Sequence, residues 1–213
     1  MNKNQTGSQP FLTSHSIYLR VIEEEDVTNG IWHHWYNDYQ LTAFNQHGVY
    51  PINTEGERKF FQDNQSNSQQ ISLAVCSLED DSVIGTVSLD NIDLLNRKAE
   101  VACTIAKNIT LTAGLESIGL VIQHGMDRLN LNKICGGANE GLKDWVKMMR
   151  CLGFIEEGIL KQESLRDGKF SDVIRFGLLA EDYYRLTAER EGLYLFKSAE
   201  LLYKNALENI RPS

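Results

Sequence analysis

Residues Lys98–Leu129 read KAEVACTIAKNITLTAGLESIGLVIQHGMDRL, and the period of the apolar residues changes inside this stretch. Val101, Cys103 and Ile105 alternate with polar or small residues, which predicts a β-strand with one buried face. From residue 115 onward, five apolar residues recur at the spacing of one helical stripe: Leu115, Ile118, Ile122, Met126 and Leu129. The stretch therefore predicts a strand, a loop over residues 107–114 and an amphipathic helix.

The junction between this strand and this helix is the first candidate functional feature. A helix that follows a strand through a short loop leaves its first backbone amides unpaired, with the positive end of the helix dipole behind them. Such an end binds phosphate and other anions. The sequence therefore predicts an anion site at the junction.

Further motifs lie on both sides of the junction. They are Trp35-Tyr-Asn-Asp38, Ile84-Gly85, Arg97-Lys-Ala-Glu100, Gly114-Leu-Glu116, Asn130-Leu-Asn-Lys-Ile134, Gly153-Phe154 and Asp167-Gly168-Lys169. Their succession over about residues 17–186 resembles the GNAT acyl-CoA N-acetyltransferases, and more narrowly the branch that acetylates ribosomal-protein N-termini and nucleotide-linked amino sugars. The expected fold is α/β (α+β), with a mixed, mostly antiparallel sheet and helices on both faces.

The resemblance implies that acetyl-CoA is the co-substrate, and no metal is expected. The strand backbone at Cys103, Thr104 and Ile105 would receive the pantetheine arm, and Asn139 would hydrogen-bond that arm or cap the helix after it. The loop and helix start would bind the pyrophosphate through Thr110, Thr112, Ala113, Gly114 and Leu115.

The loop departs from the family pattern in its glycines. Thr112 stands where the family has glycine, and Thr110 brings a second Cβ into the loop, which restricts φ and narrows the approach of backbone to phosphate. Two readings follow: an enzyme with an altered loop, or a degenerate scaffold that acts as a binding or regulatory module.

Amide formation from a thioester needs a neutral amine, a site for the oxyanion and a proton for the leaving thiolate. Glu100 faces away from the buried side of its strand and is the candidate base; a surface acid paired with Arg97 or Lys98 is the alternative. The resemblance implies a backbone N–H of Cys103 or Thr104 as oxyanion donor.

The proton donor is less defined. The helix predicted over residues 140–152 holds neither Tyr nor Ser, where the family often has its acid, and Trp145 falls near that position. Water, Tyr36 or Tyr39 would then supply the proton. Because no Cys or Ser is placed beside a His in a way that suggests a covalent relay, we expect direct attack in a ternary complex.

Trp35, Asn37 and Asp38 match the acceptor-side segment of the family. An acidic side chain there would suit a cationic amine, although Asp38 is equally a turn residue. The expected acceptor is a small amine such as a nucleotide-linked amino sugar, and a protein N-terminus is the alternative.

Composition excludes several other classes. Twenty-one basic and 29 acidic residues give a net charge of −8, which disfavours nucleic acid as a partner. The four cysteines fit neither a disulfide framework nor a zinc motif, and His33 and His34 are adjacent, so on a helix they cannot face one metal together. No apolar run reaches the ~20 residues that span a bilayer, so we expect a cytoplasmic protein without membrane contact.

Three segments are expected along the chain: a flexible tail over residues 1–14, a GNAT-like domain over 15–186 and a helical extension over 187–213. Apolar residues of the extension share one helical stripe: Leu195, Ala199, Leu202, Ala206, Leu207 and Ile210. This stripe would dock on its own domain or pair across a homodimer, and the dimer is slightly favoured. Thr54 and Glu57 have the spacing of a capping box and predict the start of an earlier helix.

Overall fold

The computed structural model describes residues 9–29, 31–42, 50–106, 111–195, 197–198, 200–201 and 204. The strands are β1 (Leu12–Thr13), β2 (Ile17–Val21), β3 (Ile71–Ser77), β4 (Val83–Asp93), β5 (Lys98–Ile105), β6 (Lys133–Asn139), β7 (Ile155–Arg166) and β8 (Lys169–Leu179). The helices are α1 (Glu24–Thr28), α2 (Ile31–Tyr36), α3 (Thr54–Gln65), α4 (Leu111–Asp127), α5 (Lys143–Cys151) and α6 (Ala180–Glu189).

The eight strands form one sheet in the order β1-β2-β3-β4-β5-β6-β8-β7. Only the β5–β6 pair is parallel, and the other described pairs are antiparallel. A parallel pair needs a crossover connection, which α4 supplies. The mixed, mostly antiparallel sheet predicted from the sequence is confirmed.

Helices cover both faces of the sheet. On one face, α4 buries its predicted stripe in the main core, where Leu115, Ile118 and Ile122 are wholly buried beside Val87 and Leu89 of β4. On the other face, a smaller apolar cluster joins α2 to the first strands: Tyr18, Ile22, Trp32, Ala74 and Cys76. The two-residue period of the strands divides their side chains between these two environments.

The parallel strands β5 and β6 form a wedge. Three ladder pairs join Lys98–Glu100 to Lys133–Cys135, and no pair follows between the remaining described residues of the two strands. Arg97 fixes the closed end, because its carbonyl oxygen accepts hydrogen bonds from the amides of Asn132 (2.6 Å) and Lys133 (3.1 Å). Backbone groups of β5 and β6 therefore face an open gap beyond Glu100.

Several element boundaries differ from the sequence prediction. Helix α4 begins at Leu111 rather than Leu115, so Leu-Thr-Ala-Gly, which contains no proline, forms its first turn. Helix α3 is capped by Asn53, whose side chain accepts from the Gly56 amide at 2.8 Å, so the predicted cap at Thr54 is wrong by one residue. Glu57 is then not part of a capping box, and its carboxyl group is buried.

Two further boundaries also move. Strand β6 continues to Asn139 and α5 begins only at Lys143, because Asn139 holds a turn through its Oδ1, which accepts from the Gly141 amide at 2.9 Å. At the N-terminus, Leu12–Thr13 pair with β2, although the sequence predicted no element there. Residues 1–8 of the predicted tail lie outside the described residues.

The C-terminal extension begins by docking on its own domain. Tyr194 and Leu195 are buried, and a Cβ at Gly119 of α4 would lie only 2.3 Å from Leu195 Cδ2. The rest of the predicted stripe, from residue 199 onward, lies outside the described residues, so pairing across a dimer stays a prediction. No helix in the described ranges is long and apolar enough to cross a bilayer.

Candidate active site

The predicted anion site lies at the start of α4. Helix α4 begins at Leu111, and the backbone N–H groups of a first helical turn point out of the helix end. Thr110, which was also predicted to contact the anion, lies outside the described residues. The described part of the helix start therefore has the backbone donors that a pyrophosphate needs.

Gly114 and Leu115 have a packing role in this turn. Both are buried, and a Cβ at Gly114 would lie 3.4 Å from Met148 Sδ and 3.6 Å from Ile105 Cγ1. These are ordinary van der Waals distances, so the first turn of α4 packs between α5 and the end of β5.

Cys103, Thr104 and Ile105 occupy the open end of β5, where the predicted pantetheine contacts would form. Asn139 ends the opposite strand, and its Nδ2 donates to Ser171 Oγ at 2.6 Å. Its Oδ1 accepts from the Gly141 amide, so both ends of the buried side-chain amide are held within the protein. The wedge thus brings together the predicted residues of the cofactor arm.

Trp145 lies where the family often has its acid. Its Nε1–H donates to the Gly137 carbonyl oxygen of β6 at 3.1 Å. The indole therefore lies against one wall of the wedge and stabilises the diverging strand. An indole N–H does not supply protons at neutral pH, so the proton for a leaving thiolate has another source.

A cavity of about 210 Å³ lies on the opposite face of β4 and β5, beneath α2 and α3. Its floor is formed by short polar side chains of the strands: Ser72, Thr86, Ser88, Asp90 and Thr104. Trp32, Tyr36 and Phe60 form the aromatic cover. Cys103 and Thr104 line this cavity and also belong to the open end of β5, so the cavity adjoins the wedge.

Two carboxylates lie side by side on this face. Asp90 of β4 is directly opposite Glu100 of β5 in the antiparallel ladder, which places their Cβ atoms about 5 Å apart. Asp90 accepts from Gln70 Nε2 at 2.6 Å and from Ser88 Oγ at 2.8 Å. The 14 residues that line the cavity include one charged side chain, Asp90, so the cavity is acidic.

Glu100 has a partner that sequence reasoning did not identify. Arg175 of β8 donates from Nη2 to its carboxylate at 2.8 Å, whereas the predicted alternatives were Arg97 and Lys98. Both side chains of the pair remain partly exposed. Glu100 therefore combines an ion pair with an open position beside the cavity.

Burial changes the acidity of two groups here, Tyr36 in the lining of the cavity and Glu57 of α3. Burial raises the pKa of the Tyr36 phenol, whose hydroxyl hydrogen-bonds the Thr86 side chain. Burial also raises the pKa of the Glu57 carboxyl to about 7. Both groups therefore hold their protons more firmly than they would in water.

The predicted acceptor-side residues mainly shape the loop after α2. The Asn37 amide forms two hydrogen bonds with the backbone of Ile52, at 2.7 and 2.9 Å. Asp38 Oδ1 accepts from the amides of Gln40 and Leu41, as a turn residue does. Trp35 packs against the smaller apolar cluster.

The same loop reaches the tip of the β7–β8 hairpin. The Tyr39 hydroxyl donates to Asp167 Oδ1 there. This contact joins the acceptor-side segment to the hairpin over the open end of the sheet.

The four cysteines do not provide a nucleophile. Burial raises the pKa of the Cys103 thiol to about 12, and it also raises the pKa of Cys76, Cys135 and Cys151. These thiols stay protonated at neutral pH, and a protonated thiol is a poor nucleophile.

Comparison with known proteins identifies this arrangement. The family described as "Acetyltransferase (GNAT) domain" matches residues 16–155. The chain belongs to this family. It is an acyl-CoA-dependent N-acetyltransferase, as the resemblance implied.

Two Bacillus proteins are similar in sequence to this GNAT protein. The uncharacterized N-acetyltransferase p20 of Bacillus licheniformis is 25% identical over 177 residues, which cover 81% of this chain and 97% of p20. YdaF of Bacillus subtilis strain 168, whose name as a ribosomal N-acetyltransferase is provisional, is 30% identical over 110 residues, covering 50% of this chain and 58% of YdaF.

Solved structures share the fold. One is the spermidine N-acetyltransferase of Vibrio cholerae in complex with CoA and spermine, which superposes on this chain with a TM-score of 0.71 at 22% sequence identity. The superposition covers 79% of this chain and 98% of the Vibrio chain. At this identity the likeness shows the fold alone.

Sequence reasoning missed Asp90 and its cavity. The pattern was present, because Thr86, Ser88 and Asp90 alternate with Val87 and Leu89 in one strand. A polar face of a strand is normally solvent-exposed, and only the helices above this one show that it lines a cavity.

Proposed function

We propose that this protein transfers the acetyl group of acetyl-CoA directly to the primary amine of a small cationic molecule in a ternary complex. The observation that carries the proposal is the adjacency of two features. An open wedge between two diverging strands lies beside an acidic cavity, and Cys103 and Thr104 belong to both.

The reaction requires that the ammonium group lose a proton first. Asp90 in the cavity attracts the cation, and Glu100 beside it accepts the proton directly or through water. The amine lone pair then attacks the thioester carbonyl carbon, while a β5 amide at Cys103 or Thr104 stabilises the oxyanion. Collapse of the intermediate breaks the carbon–sulfur bond, and the nitrogen releases its second proton to water, which leaves the neutral amide.

The leaving thiolate takes a proton from Tyr36 or from water. Tyr36 is the only tyrosine among the residues that line the cavity, and its hydroxyl contacts Thr86, the cross-strand neighbour of Thr104. A phenol that keeps its proton at neutral pH is available as a donor when the thiolate forms. Direct transfer also agrees with the raised pKa of every cysteine.

The lining of the cavity favours a cationic amine over a nucleotide-linked amino sugar. A nucleotide carries phosphates, which proteins bind with Arg, Lys or helix amides. The described lining contains Asp90 and no basic side chain. The amino-sugar acceptor expected from the sequence therefore gains no support from this cavity.

A protein N-terminus is the second candidate acceptor. Its support is the similarity to YdaF, which spans 58% of that protein. A peptide α-amine would need access from the loop after α2 and the hairpin tip, where Tyr39 and Asp167 now meet.

An assay of amine-dependent thiol release separates these possibilities. Acetyl-CoA is supplied with a short alkylamine, with spermidine, with a nucleotide-linked amino sugar or with a peptide, and each product is identified by mass spectrometry. The proposal predicts N-acetylation of the small cationic amines and slow hydrolysis without an acceptor. Turnover with the peptide alone would favour the second candidate, and no turnover with any amine would contradict the proposed function.

We also propose a cytoplasmic protein that forms a homodimer. All four cysteines are free, which agrees with a reducing compartment. Sedimentation of a chain that ends at Glu191 tests the dimer. If the shortened chain has the same oligomeric state as the full chain, the C-terminal stripe is not the dimer contact.

A further inference from the structure

A second, larger cavity adjoins the acidic one. It has a volume of about 370 Å³ and lies between α3 and the part of β3 that extends beyond its pairing with β2. Four residues line both cavities: Ile22, Asn64, Gln70 and Ser72. The two cavities are therefore direct neighbours with common walls.

The second cavity differs from the first in chemistry. Its own walls are apolar, with Phe11, Val21, Phe61 and Leu73, and none of its ten lining residues is charged. Phe11 and Val21 are about half exposed, at 48% and 55%. Exposed apolar side chains that line a concave surface indicate a binding site for an apolar group.

Gln70 marks the boundary between the two environments. Its Nε2 donates to Asp90 Oδ1 at 2.6 Å, and the residue lines both cavities. Gln70 therefore stands in the common wall between Asp90 and Phe61, and a ligand that spans both cavities would lie against it.

We propose that the second cavity binds the apolar tail of the acceptor, so that the preferred substrate is a monoamine with an alkyl or aryl tail. The proposal rests on the proposed function, because the first cavity must hold the reacting amine. It also separates this protein from the Vibrio neighbour that binds spermine. A second ammonium group would lose its water in the apolar cavity without gaining a carboxylate, which is unfavourable.

A series of alkylamines tests the proposal. We expect kcat/KM to rise about threefold for each methylene added from ethylamine to hexylamine, since each buried methylene contributes a nearly constant transfer free energy. Spermidine, which is longer than hexylamine and carries two further charges, should be at least tenfold poorer than hexylamine.

Paired variants locate the effect. Val21→Asp places a charge in the apolar cavity at an exposed site of β2, and we expect it to reduce the hexylamine-to-ethylamine ratio about tenfold. Ile159→Asp makes the same change at a similarly exposed site, 53% exposed, on the opposite edge strand β7, and should leave that ratio unchanged.

The outcomes distinguish the two claims. If short amines are acetylated but kcat/KM does not change with tail length, the tail subsite is wrong and the proposed function stands. A tail preference that both variants reduce equally would also place the tail elsewhere. If no amine of the series is acetylated, the proposed function itself fails.

Discussion

The two faces of β4 have different roles: alternate residues of this one strand pack in the apolar core or line a polar cavity. Val87 and Leu89 pack in the main core with α4, whereas Thr86, Ser88 and Asp90 line a polar cavity under α2 and α3. The first face gains stability from close packing, and the second keeps space and charge that would be unfavourable in a core. Mutations on the core face of β4 should therefore lower the free energy of unfolding, and mutations on the cavity face should lower activity.

The largest effect is expected on the packed face. Leu89→Ala should lower the free energy of unfolding by about 3 kcal/mol, because it leaves a cavity among fully buried side chains. Urea denaturation measures the change. Leu95→Ala, at a site 91% exposed in the β4–β5 turn, is the control and should change stability by less than about 0.5 kcal/mol.

A mutation at Asp90, next to Leu89, should lower activity strongly and stability only slightly. Asp90→Asn should reduce kcat/KM for a cationic amine about 100-fold, because it removes the charge that attracts the ammonium group. The unfolding free energy should change far less than it does in Leu89→Ala. Asp80→Asn, in the exposed β3–β4 turn, is the control because it makes the same substitution outside the cavity. Equal losses of kcat/KM in both variants would mean that Asp90 does not bind the ammonium group.

Glu57 extends the comparison to pH. Its raised pKa means that, between about pH 4.5 and 7, the folded state keeps a proton that the unfolded state has lost. Stability therefore falls as pH rises through this window and levels off above it. Glu57→Gln should be more stable than the wild type by about 2 kcal/mol at pH 8 and lose most of that advantage at pH 5.

Denaturant midpoints at several pH values check this prediction. Glu55→Gln lies on the same helix with an exposed side chain, and it should follow the wild-type pH dependence. A stability difference between Glu57→Gln and the wild type that does not vary with pH would contradict the assignment.

Glu100 should give the smallest of these effects. Glu100→Gln should lower kcat at neutral pH about tenfold or more by removing the proton acceptor, and it should alter the acidic limb of the pH–rate profile. Arg175→Gln removes the partner while it leaves the carboxylate in place. If both variants lose activity equally with unaltered profiles, the ion pair is structural and Glu100 is not the base.

Much of the fold was predictable because the regular spacing of apolar residues in the sequence follows from which side chains are buried. The stripe from Leu115 to Met126 and the alternation in β5 each have one dominant cause, which is the main core. The helix start at Leu111 and the cap at Asn53 were missed because these boundaries depend on packing and on one side-chain hydrogen bond.

The site was less predictable than the core. Glu100 and the wedge residues follow from family resemblance, but the Arg175 partner comes from a strand 75 residues away. Asp90 has no motif of its own, and its role depends on Gln70, Ser88 and the helices that cover it. Such contacts arise from tertiary structure, which local sequence does not encode.

The most direct test is a crystal structure with a bisubstrate analogue in which CoA is joined through an acetyl bridge to an alkylamine. The account predicts the pyrophosphate at the first turn of α4, the pantetheine arm between β5 and β6, and the amine nitrogen in the cavity beside Asp90 and Glu100. An amine nitrogen bound away from the polar face of β4 would contradict it.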